Sequence, residues 1–198
     1  GIRPTFSMEA IATWDEAARA GHTVNDPSNP GRTYLTAKGV TRPFRAGSPG
    51  ERNLAAMNAA LLRRNQEIAR KVADLVKRRL GVKDAIRWED ILALTPHGQP
   101  TERHISLAVA RWLEGSHPEP DDRRRALEKL SGKDVPDEAL ATAAAFQDHV
   151  RAVLIKAGRP AYVEESAEAF IPVEAMISMA LELGAIPAYP VLGNPITP

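Results

Sequence analysis

A long run of apolar residues at helical spacing, from Arg52 to Leu80, constrains this chain more than any other feature. The apolar positions recur every three or four residues, which is the period of one helix face; they are Leu54, Met57, Leu61, Ile68, Val72, Leu75 and Val76. Gly81 follows directly and predicts the end of the helix. Such a helix buries its apolar face only by packing against other elements, so we expect a helical bundle.

Further helices are predicted on both sides of this run. They are expected at residues 7–20, 88–94, 101–114, 121–130, 136–157 and 172–183. Ser7 is interpreted as the N-cap of the first and Gly21 as its end. Pro96 predicts the end of the second, and Pro136 suits the first position of the fifth. Gly158 and Gly184 are expected to end the last two.

Two short strands are predicted, one near each end of the chain. The first is Thr33–Ala37 and the second is Ile186–Val191, which contains two prolines. A single helix-glycine-strand unit at the end would lack a neighbouring strand to pair with. The predicted fold class is mostly α with a few short strands, α+β. We expect three segments: 1–50, 51–160 (the helical domain) and 161–198 (a helix–strand unit).

Composition excludes several classes of function. Lys and Arg number 26 against 25 Asp and Glu, a balance that disfavours a dedicated nucleic-acid or membrane protein. There is no Cys, so thiol catalysis, disulfides and thiolate metal sites are absent. No apolar run approaches the ~20 residues that span a bilayer. These features suit a cytoplasmic protein with no membrane partner.

Familiar catalytic motifs are missing. The five histidines include no His-x-His and no pair at the i, i+4 spacing of a helical zinc site. Neither a phosphate-binding glycine loop nor a Gly-x-Ser-x-Gly elbow is present. Adjacent carboxylates occur at Glu89–Asp90 and Glu164–Glu165, but neighbours on a helix point about 100° apart and rarely share one substrate.

Three stretches, in order, resemble one family. The first runs from Arg64-Asn65-Gln66-Glu67-Ile68 through Gly81 to Trp88-Glu89-Asp90; the second is Arg103-His104-Ile105; the third is Pro160-Ala161-Tyr162-Val163, then Glu174-Ala175, then Ala188-Tyr189-Pro190. This pattern is similar to that of the polymerase and histidinol phosphatase (PHP) superfamily of metal-dependent phosphoesterases. The family has an Arg-Asn-x-x-Ile helix, an Arg-Pro-His-Ile helix start, a Pro-Ala-Tyr-Val segment and a strand ending in Ala-His-Pro.

The resemblance implies a distorted (β/α)₇ barrel of which this chain would be the helical insertion and one following barrel unit. In the family, divalent metals (manganese, zinc or iron) activate a water that attacks a phosphate ester. The metal ligands lie outside such a segment, so no cofactor is expected in this chain. We therefore expect an interior segment that recognises substrate phosphate and hydrolyses nothing alone. Its partners would be a small phosphate ester or nucleotide and the remainder of the barrel.

Two departures from the family pattern bear on activity. Arg103 lies one residue closer to His104 than in Arg-Pro-His. Tyr189 occupies the position of a family histidine that binds metal, and a phenol must first lose a proton to become a comparable ligand. The phosphoesterase interpretation therefore leaves open whether even a complete parent protein is active. For Tyr189 we favour a role in packing over one in chemistry.

The candidate phosphate-binding residues are Arg64, Asn65, Arg103 and His104. The guanidinium of Arg64 matches phosphate oxygens, and Arg103 with His104 lies at a predicted helix N-terminus, which favours anions. Structural roles are the alternatives: an Asn bonded between helices and a solvated His. The rival function is a non-catalytic helical binding or scaffold module. The least favoured is a nucleic-acid-binding helical domain using 63–79 and 123–125.

Overall fold

The structure, a computed structural model, describes residues 5–26, 29–95 and 98–190. Its elements are β1 (Phe6–Thr13), α1 (Asp15–Arg19), β2 (Arg32–Val40), α2 (Pro49–Leu80), α3 (Trp88–Leu92), α4 (Glu102–Ser116), α5 (Pro120–Ser131), α6 (Asp137–Leu140), α7 (Ala143–Leu154), β3 (Ile171–Pro172), α8 (Val173–Glu182) and β4 (Ile186–Ala188). The predicted class, mostly α with a few short strands, is confirmed. Unit 1 comprises Gly1–Ala60 and Ser166–Pro198, and unit 2 comprises Leu61–Glu165.

Unit 1 contains a four-stranded sheet in the order β3-β1-β2-β4. β2 pairs antiparallel with both β1 and β4, whereas β1 and β3 are parallel. One sheet face packs against α8 and the start of α2; the buried apolar residues here are Ala12, Leu35, Ala37, Met57, Ile171, Met176, Met179, Ala180, Leu183 and Ala185. The sheet therefore has a core that is separate from the helical core of unit 2.

The predicted first helix is wrong over residues 7–13, which belong to β1. Ala12 is fully buried, and Met8 and Ala10 pack against the same core, whereas Ser7 and Glu9 are exposed. This is the two-residue period of a strand. Alanine fits either period, so the pairing with β2 decides the conformation. Only α1 remains helical.

The predicted last strand starts at Ile186 as expected, but β4 ends at Ala188; Val191 lies outside the described residues, as does Pro96. The expectation that this strand lacks a neighbour is wrong, because β4 pairs with β2 at Thr36↔Ala188. The predicted segments 1–50 and 161–198 thus contribute strands to one sheet. Strands of a (β/α) barrel run parallel, so the antiparallel pairs of β2 lend no support to a barrel arrangement.

Asn25 joins the loop after α1 to the sheet and is only 4% exposed. Its Oδ1 accepts from the Tyr34 backbone N–H at 2.6 Å and from the Thr33 hydroxyl at 3.1 Å. Its Nδ2 donates to the carbonyls of Tyr34 and Pro190, each at 3.1 Å. The side-chain amide of Asn25 therefore links β2 to the residue that follows Tyr189, through hydrogen bonds of the kind that a backbone peptide group makes.

Unit 2 is a helical bundle around the predicted long helix, which begins at Pro49 rather than Arg52. Its core includes Ile68, Val72, Ile105, Val109, Leu113, Leu127, Leu130, Phe146, Val150 and Leu154. The predicted helix at 136–157 is wrong in one respect: it is split into α6 and α7. Thr142 is extended (φ −144°), and its hydroxyl accepts from the Ala145 N–H at 3.1 Å. Hydroxyl capping competes with continuing the helix, so a new helix begins there.

A pH effect follows from His149 on α7. Its Nε2 is buried and has no hydrogen-bond partner among the described residues. Burial lowers the pKa of His149. As the pH falls, the unfolded chain therefore takes up this proton first, and the folded protein loses stability below the ordinary histidine pKa. We expect the free energy of unfolding to fall between about pH 7.5 and about pH 5.5.

His149→Gln should remove part of this pH dependence, measured as the change in urea midpoint between the two pH values. His22→Gln, an exposed change in unit 1, is the matched control. An unchanged pH slope in His149→Gln would show that His149 does not cause the effect.

Candidate functional site

The predicted phosphate-binding residues border the N-terminus of α4. Arg64 and Asn65 lie on α2, and Arg103 and His104 lie in the first turn of α4. Asn65 Nδ2 donates to the Pro100 carbonyl at 2.8 Å, just before α4 begins. The Arg64 guanidinium lies 2.8 Å from the carboxylate of Glu102, the first residue of α4. Contacts from α2 therefore converge on the start of α4.

Glu102 binds two arginines from different helices. Its Oε1 accepts from Arg64 Nη2 at 2.8 Å. Its Oε2 accepts from Arg151 of α7, with Nε at 3.1 Å and Nη2 at 3.0 Å. The exposed fractions of the three side chains are 9% for Arg64, 17% for Glu102 and 23% for Arg151. Together they form a largely buried Arg–Glu–Arg group with one edge at the surface.

The protonation of Glu102 reflects this setting. Burial acts to raise the pKa of the carboxyl, but Arg64, Arg151 and Lys156 outweigh burial, and the pKa of Glu102 lies below its ordinary value. All the charged groups that contribute to the shift are cations. The surroundings of Glu102 therefore favour a negative charge at this position.

Arg64 also holds the Pro160–Val163 segment. Its Nε donates to the Val163 carbonyl at 2.9 Å, and Lys71, two helical turns further along α2, donates to the Tyr162 carbonyl at 2.8 Å. Two of the three stretches that suggested the family resemblance thus meet in unit 2. The same bonds give Arg64, whose side chain is 9% exposed, a structural role inside unit 2.

Asn65 is 5% exposed, which fits the predicted bond between helices. Its Oδ1 is buried and has no hydrogen-bond partner among the described residues. An unsatisfied buried acceptor is uncommon and costs about 1–3 kcal/mol. A donor from water or a ligand would satisfy it.

Arg103 and His104 are less buried. Arg103 contacts Asp148 of α7 at 3.3 Å, and both side chains are about two-thirds exposed. His104 Nδ1 accepts the Thr101 backbone N–H at 3.1 Å, as in a capping box. The neutral ring then carries its proton on Nε2, which can donate to an anion.

Tyr189 follows β4 in unit 1 and is 39% exposed. Among the residues the structure describes, no group of three or more His, Asp or Glu side chains could hold a metal ion. In the same part of the chain, no helix is long and apolar enough to cross a membrane.

Sequence reasoning missed Glu102, Arg151 and Lys71. Glu102 adjoins Arg103, but nothing local distinguishes it from any acidic residue in the first turn of a helix. Arg151 lies 49 positions further along the chain, and its contact with Glu102 depends on how α4 and α7 pack. A pair this distant leaves no pattern in a single sequence.

Comparisons with known proteins identify no relative. No protein-family model matches the chain, and no curated protein or solved structure matches it. The PHP resemblance therefore stays a prediction from the quoted residues.

Proposed function

We propose that this chain provides phosphate recognition to a PHP-like metal-dependent phosphoesterase, with the phosphate bound at the N-terminus of α4. One observation carries the proposal: two guanidinium groups, from Arg64 and Arg151, already bind an oxyanion there, the carboxylate of Glu102. Bidentate and paired guanidinium contacts suit carboxylate and phosphate alike. The 15-residue α4 adds its N-terminal dipole.

In this proposal each residue has a defined part. Arg64 and Arg151 neutralise charge, Arg103 adds an exposed cation at the entrance, and His104 donates from Nε2. Asn65 orients the start of α4 through Pro100. The chemistry of hydrolysis belongs to metals held elsewhere in a complete parent protein, and no step in this chain passes through a metal. The parent barrel is the proposed partner, and the cytoplasm is the proposed location.

The experiment is a calorimetric titration of the full chain with p-nitrophenyl phosphate at low salt. We expect weak saturable binding that Arg103→Gln reduces about tenfold, since one charge-assisted contact to the anion is lost. The matched control is Arg125→Gln, which breaks a similarly exposed ion pair with Asp122 on α5. Equal effects of the two variants would contradict the proposed site.

Hydrolysis gives a second measurement. With added manganese, we expect no p-nitrophenol release above the rate of a protein-free blank, because this chain is proposed to bind the ester without catalysing its cleavage. Metal-dependent release by the purified chain would overturn that part of the proposal.

A second candidate function is a non-catalytic helical binding or scaffold module. The observation that favours it is that Nε and Nη2 of Arg64 already have partners inside unit 2. It predicts that Arg64→Ala and Arg103→Ala leave binding of phosphate esters and nucleotides unchanged. The same titration separates the two functions.

A further inference from the structure

Glu102 is the carboxylate that an incoming phosphate would meet at the Arg64–Arg151 pair. One carboxylate oxygen of Glu102 accepts a hydrogen bond from Arg64, and the other accepts one from Arg151. Both arginines would have to exchange this carboxylate for a phosphate oxygen before binding a ligand. We propose that Glu102 is an internal competitor, which occupies the Arg64–Arg151 pair in the free protein and is displaced by a phosphate monoester. This inference rests on the proposed function.

Charge balance favours the exchange. Arg64 and Arg151 contact the Glu102 carboxylate directly, and the charge of Lys156 also favours its ionised form, so three cations act on one negative charge. A phosphate monoester near neutral pH carries almost two negative charges and offers three acceptor oxygens. It neutralises the cations more completely than one carboxylate can. The excess positive charge therefore selects a dianion over a carboxylate ligand.

The position of Glu102 permits displacement. Glu102 is the first residue of α4, and the preceding Thr101 is extended. The Glu102 side chain therefore lies at the end of the helix. The Glu102 and Arg151 side chains keep 17% and 23% of their surface exposed, whereas Arg64 keeps 9%. A ligand can thus reach the pair from the Arg151 side while Arg64 stays anchored on the Val163 carbonyl.

The ligand enters a site that stays ordered without Glu102. Arg64 retains its bond to Val163, and Asn65 retains its bond to Pro100. α4 keeps the contact between the Thr101 N–H and His104. Displacement of the carboxylate therefore changes the occupant of the arginine pair and leaves the surrounding backbone supported.

The test is the affinity for inorganic phosphate, measured by calorimetry at constant ionic strength. Glu102→Gln keeps the shape of the side chain and removes its charge. We expect it to bind phosphate about tenfold more tightly than the wild type, because a like charge no longer competes. Adding Arg151→Gln to this variant should abolish the gain.

The matched control is Glu67→Gln on α2, which removes the same charge from an exposed pair with Arg70. It should leave the affinity unchanged. If Glu102→Gln fails to fold by circular dichroism, Glu102→Asp serves instead: the shorter carboxylate contacts both arginines less well, and a smaller gain is expected.

Three results decide between the possibilities. A gain confined to the Glu102 variants supports the inference. Equal phosphate affinity in wild type and Glu102→Gln, with binding reduced by Arg103→Gln, would overturn the inference and leave the proposed function standing. If neither wild type nor Glu102→Gln binds phosphate, both the inference and the proposed function fail.

Discussion

Replacing Asn25 with alanine is expected to lower the stability of unit 1 by about 3 kcal/mol. The side chain makes four hydrogen bonds, to Thr33, to both backbone groups of Tyr34 and to the Pro190 carbonyl. Alanine removes all four bonds, and Thr33, which is 1% exposed, is left with the 3.4 Å contact from its hydroxyl to the Tyr34 carbonyl. Leaving a buried polar group without a hydrogen bond costs about 1–3 kcal/mol, which is more than the net stabilisation that a typical hydrogen bond provides.

Hydrogen exchange of the β2 amides measures this effect locally. In Asn25→Ala we expect loss of protection in residues 32–40, while the α4 and α7 amides of unit 2 exchange as in the wild type. Asn25→Asp distinguishes the two halves of the amide, because a carboxylate retains the acceptor and loses both donors. We expect Asp to be nearly as harmful as Ala, since it would face the two carbonyls.

Asn29→Ala is the matched control in the same loop. Its side chain donates to the Asp26 carboxylate at 2.9 Å and is partly exposed. We expect it to cost about 0.5 kcal/mol. Similar losses from Asn25→Ala and Asn29→Ala would mean that the loop as a whole, rather than the Asn25 amide, supports the sheet.

Glu102→Ala is the second large effect, with an expected loss of about 3 kcal/mol in phosphate-free buffer. The reason is that Arg64 and Arg151 stay largely buried with their shared carboxylate removed. The cost lies at the low end of the range for buried pairs because Arg151 can turn toward water. The measurement is urea unfolding of the full chain by circular dichroism.

The Glu102 effect should depend on pH. The pKa of this carboxyl is depressed in the folded protein, so its stabilisation is present above the ordinary glutamate pKa and is lost as the pH falls through the folded value. The difference between wild type and Glu102→Ala should therefore shrink in acid. Glu67→Ala, which breaks an exposed pair on α2, should cost no more than about 0.5 kcal/mol. A pH-independent difference would exclude the charge as the cause.

Helices with a continuous apolar stripe were predictable from the sequence. The expected run from Arg52 to Leu80 forms α2 with its end at Gly81, because the periodic positions span many turns and only one period fits them. The predicted last helix, residues 172–183, matches α8 within one residue at each end. In both, side-chain spacing and a terminal glycine carry the information locally.

The first strand and the α6–α7 break were not predictable in this way. Alanine-rich segments such as Met8–Ala12 fit a helical and a strand period equally, and pairing with β2 selects the strand. Thr142 can continue a helix or cap a new one, and in the structure it caps α7 by accepting from the Ala145 N–H. Local preferences are too weak to decide where two periods compete.

The candidate site also has a part that the sequence predicted and a part that depended on the tertiary structure. The sequence determined that Arg103 and His104 start a helix, that α2 carries Arg64 and Asn65, and that no cysteine chemistry exists. Only the tertiary structure decided that Arg64 shares Glu102 with Arg151, and that β4 pairs with β2. The physical reason is the range of each interaction: helix periodicity and capping act within a few residues, whereas ion pairs and strand pairing join residues that are close only after folding.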